Sequence, residues 1–69
     1  MKYQALKARY KAEIAIAKAE LSNYFENPVA VGDHPHLINS MDGLVGQLAQ
    51  AEEKLTALEY FERYENDIE

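Results

Sequence analysis

The sequence predicts an all-α protein: an antiparallel helical hairpin of two long helices, paired with a second copy as a homodimeric four-helix bundle. Three observations carry that expectation. Apolar residues recur at steps of three and four along two long segments. Both prolines, the first of three glycines and both histidines fall in one short stretch between them, "NPVAVGDHPH", residues 27 to 36. The charges of the two segments are opposite where a hairpin would bring them together.

The first helix is predicted over about residues 2–26. Alanine is frequent there, and neither Gly nor Pro interrupts it. Tyr3, Leu6, Tyr10, Ile14, Leu21 and Tyr24, with Ala17 between, share one face of a 3.6-residue helix. Asn27 precedes Pro28, and a residue before proline is pushed out of helical geometry, which ends the helix near Phe25 or Glu26.

Residues 27–33 read as the turn. Pro28 stops one helix, Gly32 turns the chain, Asp33 can cap the next helix and Pro35 fits its first turn. Asp33, His34 and His36 also invite a metal reading. A closed zinc site needs three or four ligands, and no other His and no Cys is present to complete one. The turn reading is preferred, and no metal or cofactor is expected.

The second helix is predicted over about residues 34–65. Leu37, Met41, Leu44, Leu48, Ala51, Leu55 and Leu58 form its stripe, with Ile38 and Val45 widening it. Leu21, Leu44, Leu48 and Leu55 are the expected core. At about 1.5 Å per residue the second helix would be roughly 45 Å long and the first roughly 35 Å. Matching the stripes places Leu21 and Tyr24 near Leu37 and Met41, and Tyr3 near Leu58. Beyond Leu58, helix two would overhang helix one by about two turns.

Charge supports the antiparallel arrangement. Over residues 2–26, Lys2, Lys7, Arg9, Lys11 and Lys18 outnumber Glu13, Glu20 and Glu26. Over residues 51–69, seven acidic residues face only Lys54 and Arg63. A hairpin lays the basic start of helix one beside the acidic end of helix two.

Length and composition narrow the functional classes. A chain of 69 residues has room for one domain, residues 1–69, with a modest core, and such chains often need disulfides, metal or oligomerisation. No cysteine is present, which leaves oligomerisation as the common remaining device. The net charge of −5 disfavours nucleic acid and anionic lipid as default partners. No apolar run approaches a membrane span, and the charged start "MKYQALKARYKAE" is no secretory signal, so a cytoplasmic protein is expected. No plausible set of nucleophile, base and orienting residue is present, and no enzyme is expected.

Two faces remain unaccounted for by one hairpin. Ala5, Ala8, Ala12, Ala15 and Ala19 run along the far side of helix one, with Ile16 beside them. They read either as an exposed helix-forming face or as a small-residue seam for a neighbouring helix. On helix two, Gly43, Gly46, Gln50, Glu53, Ala57, Phe61, Tyr64 and Ile68 follow one another, with Tyr60 alongside. The glycines imply a kink or local break, or a close neighbour. The aromatic end implies a contact surface, or a bend that folds it back. Self-association is therefore expected through Ala57, Tyr60, Phe61, Tyr64 and Ile68 and the alanine seam. A rival reading takes "KYQALKARYK" as a nucleic-acid surface interleaving bases with Tyr3 and Tyr10.

Asn27, Pro28, Val29, Val31, Gly32, His34 and Pro35, then Leu48, Ala49, Ala51, Glu52, Lys54, Leu55 and Leu58, carry a resemblance. Together they are similar to an NPV-x-VG-x-HP turn followed by an LA-x-AE-x-KL-x-L helix in small uncharacterised helical proteins of tailed phages, notably marine ones. The resemblance covers about half the chain. It implies a phage-encoded accessory protein in the host cytoplasm, with a phage or host protein as a further partner, and it brings no activity or assigned site. The expected function is a non-catalytic interaction and assembly module of coiled-coil type.

Overall fold

The computed structural model describes residues 2–26 and 34–68, with the side chains of residues 34, 35 and 64–68 excepted. Two helices account for all of them: α1 (Lys2–Glu26) and α2 (His34–Ile68), which pack against each other. The expected bounds of α1 hold. α2 runs about one turn past the expected residue 65, in keeping with the lack of any Gly or Pro near its end. The roles predicted for Asn27, Pro28, Gly32 and Asp33, and for the side chains of His34 and Pro35, lie outside the described residues.

The molecule is a rod of 58 × 15 × 14 Å. Thirty-five helical residues span about 52 Å, so α2 alone sets the long axis. The radius of gyration is 16.3 Å, against about 11 Å for a compact domain of this length.

One seam runs between the helices. Ala17, Leu21, Leu44 and Ala51 are buried in it. Tyr3, Tyr10, Ile14 and Tyr24 of α1 are half-buried, as are Leu37, Met41, Leu48, Leu55 and Leu58 of α2. Leu48 and Leu55, expected in the core, are mostly but not fully covered. A pair of helices encloses only what points straight at the partner axis, and a large side chain beside that line keeps one flank in water. Leu6 likewise stands at the edge of the seam and is exposed. Ile38 and Val45 do not widen the stripe at all: both are exposed.

Cross-helix contacts establish the antiparallel register. Lys7 Nζ donates to Glu62 Oε1 at 3.3 Å, joining the basic start of α1 to the acidic end of α2 as the charge pattern requires. Lys54 Nζ lies 5.9 Å from the Tyr10 ring centroid. With Tyr3 opposite Leu58, Tyr10 would stand level with Ala51. A lysine tip leans about a turn towards its own N-terminus, so this contact fits the stripe matching, while the Lys7–Glu62 pair shows that Glu62 does not overhang.

α2 passes through Gly43 and Gly46 without a break. An ideal Cβ at either glycine would meet nothing within 4 Å. Neither residue is demanded by close packing within this chain, nor by a positive φ.

Candidate interaction surface

Two helices side by side form a single layer with two broad sides and two outer edges. The broad sides are distinguished by a shallow groove lined by Glu13, Ile16, Gln47, Gln50, Ala51 and Lys54. Those residues mark the groove side. Nine residues are about two and a half turns, so a residue nine places away on the same helix points the opposite way. Phe25 is nine from Ile16, Ile38 nine from Gln47, and Val45 nine from Lys54. All three therefore share the side opposite the groove, towards the end where residues 27–33 connect the helices. They are 72%, 60% and 50% exposed. The sequence-level reading had Ile38 and Val45 inside the seam and gave Phe25 no role beyond the helix end.

The rest of that side is charged, with a division between the helices. Lys11 and Lys18 precede Phe25 at intervals of seven, and Glu52 and Glu59 follow Val45 at the same interval. Seven residues fall about 20° short of two full turns, so each series stays on one side. From the connected end to the open end, α1 reads apolar then basic, and α2 apolar then acidic as far as Arg63, which lies five full turns beyond Val45.

The residues expected to mediate association sit elsewhere. Ala5, Ala8, Ala12, Ala15 and Ala19 are all exposed on the outer edge of α1, opposite the seam. Ala57, Tyr60 and Phe61 are exposed on α2, near the open end. Tyr60 and Phe61 meet edge to face, with ring centroids 5.4 Å apart at 89°. The side chains of Tyr64 and Ile68 lie outside the described residues. The structure thus brings Tyr60 and Phe61 together and separates them from the alanines by the thickness of the hairpin.

The basic stretch of α1 is engaged within the chain. Besides the Lys7–Glu62 pair, Arg9 Nε donates to Glu13 Oε2 at 3.2 Å, one turn on. Tyr3 and Tyr10 are half-buried on the seam rather than splayed for base stacking. Among the described residues, no group of three or more His, Asp or Glu could hold a metal ion, and no helix is long and apolar enough to cross a membrane. Asp33 and the His34 side chain lie outside that description. The groove offers one carboxylate, one ammonium and two amides around Ile16 and Ala51.

No protein-family model, no curated protein and no solved structure matches the chain.

Proposed function

We propose that this protein is a non-catalytic helical module that works by associating with another copy of itself. The observation that carries the reading is the large surface that the open rod leaves uncovered, with apolar side chains standing in it. The chain exposes 5590 Å², whereas a compact 7.9 kDa monomer exposes about 4,400 Å². The excess, about 1,200 Å², exceeds the roughly 800 Å² that each partner contributes to a standard interface. Large apolar residues stand in it: Phe25, Ile38, Val45, Ile16, Tyr60 and Phe61 are each at least half exposed.

A homodimer of two hairpins gives a four-helix bundle, the smallest arrangement in which each helix gains a second apolar neighbour. The turn's resemblance to small tailed-phage proteins adds a phage or host protein in the host cytoplasm as a further partner for the same surface. Sedimentation equilibrium at micromolar concentration tests the reading. A mass above 7.9 kDa that rises with concentration is expected. A clean monomer, with a melting curve independent of concentration, would overturn self-association and leave a different protein as the partner.

A further inference from the structure

Resting on that self-association, we propose which face the second copy covers and how it is oriented. It docks on the side opposite the groove, about a two-fold axis running along the length of the hairpin.

The charge division selects this axis. A two-fold along the rod lays α1 of one copy over α2 of the other, antiparallel and at the same height. Within the chain, Lys54 of α2 reaches the Tyr10 ring of α1, and that contact is taken as the common height. Phe25 then falls between Ile38 and Val45 of the other copy, Lys18 between Val45 and Glu52, and Lys11 between Glu52 and Glu59. Helical side chains lean towards their own N-terminus. In antiparallel helices this leans Lys18 towards Glu52, and Lys11 towards Glu59. Each contact occurs twice, as a two-fold requires.

The alternative two-fold, across the rod, lays each helix over its own copy. Lys11 and Lys18 would then meet lysines, Glu52 and Glu59 would meet glutamates, and Phe25 would lie over charged residues. The groove side also carries exposed apolar residues, Ile16 and, seven residues beyond Lys54, Phe61, but they lie apart, with Glu13, Gln47, Gln50 and Lys54 between them.

The area is also adequate. α1 is about 37 Å long and the layer is 15 Å wide, a flat footprint of about 550 Å² per copy before side-chain relief is counted. That is close to what a standard interface takes from each partner. The alanine row on the outer edge of α1 stays free of the contact.

Charge reversal tests the arrangement. Two double variants are made, Lys11→Glu with Lys18→Glu, and Glu52→Lys with Glu59→Lys, and their helix content is followed by circular dichroism. Each alone is expected to associate at least about tenfold more weakly than the natural chain, and an equimolar mixture is expected to regain the dimer mass. Rescue on mixing cannot come from repairing contacts within one chain. A natural dimer whose strength neither variant alters would overturn this face while leaving self-association standing; a natural monomer would remove both.

Should a variant lose its helix signal, single cysteines decide, because the chain has none of its own. Under oxidation, Phe25→Cys mixed with Ile38→Cys is expected to give a disulfide-linked pair in higher yield than Phe61→Cys alone. The reverse order of yields would move the interface to the aromatic end and overturn the proposal.

Discussion

Leu44→Ala probes the seam directly, because Leu44 is 8% exposed and is the one fully buried leucine of α2 among the described residues. The substitution removes three carbons. At about 0.8 kcal/mol per buried carbon group, the lost transfer energy is roughly 2.4 kcal/mol. Core substitutions of this kind also leave a cavity, which raises the cost towards 5 kcal/mol in enclosed sites. Here the seam is open to water along both flanks, so little cavity survives, and a loss of about 2–3 kcal/mol is expected. A chain of 69 residues has a total stability of only roughly 3–10 kcal/mol, so the effect is large. Leu48→Ala, at a partly covered position, should cost about 1.5–2 kcal/mol when the chain is monomeric. Urea unfolding followed by far-ultraviolet circular dichroism, at the lowest workable concentration, measures both. A loss below about 0.5 kcal/mol for Leu44→Ala would refute the seam assignment. Equal losses at low concentration would mean that α2 is rotated towards Leu48. Leu48 lies between the seam and Val45, so its penalty should grow as concentration rises and the second copy covers it.

Three further outcomes are expected. Gly43→Ala and Gly46→Ala should each stabilise the chain by about 0.5–1 kcal/mol, since each adds a helix-favouring methyl into open space; thermal melts check this, and weakened association would place a partner on the glycine face instead. Glu62→Gln should cost no more than about 1 kcal/mol, because both members of its ion pair with Lys7 are about one-third exposed, and melts with added salt should erase most of the difference between the variant and the natural chain. Single-stranded or duplex DNA should show no salt-dependent mobility shift with the protein; a shift abolished when Lys7, Arg9 and Lys11 become Glu would favour the nucleic-acid reading.

The two helices and their antiparallel sense were legible because each rests on redundant signals. α1 has an unbroken alanine-rich stretch, a stripe at helical spacing and a proline in the sequence two residues past its end. The opposed charges of the two ends are realised in the Lys7–Glu62 pair. Register rested on fewer signals. A stripe repeating every three or four residues can slide by one turn and still set apolar residues against apolar ones, so periodicity assigns a face but not a height. The height depends on how particular side chains reach across, as Lys54 does to Tyr10. The candidate surface was hidden for a related reason. Ile38 and Val45 neighbour the main stripe in projection, and a single broad stripe absorbed them. Their exposure and the position of the groove separate them from residues on the seam, a quarter-turn away.

A seven-residue count would have separated them earlier. Lys11, Lys18 and Phe25 on α1, and Ile38, Val45, Glu52 and Glu59 on α2, keep strict heptad spacing beside the main stripes. Each helix thus carries two seams, one used within the hairpin and one not. The charges on the second seam have no local explanation in the helix dipole: α1 has no acid in its first turn and no base in its last, and α2 repeats that pattern. Their signs become favourable only across helices, first within the hairpin and again in the proposed pairing of α1 with the other copy's α2. Among the described residues four side chains are buried, two of them alanines, which gives a single hairpin little to set against the conformational entropy of so long a chain. Burying the second seam would supply the missing apolar contact. Folding and association are then one linked equilibrium, and the melting temperature of the natural chain should rise with protein concentration.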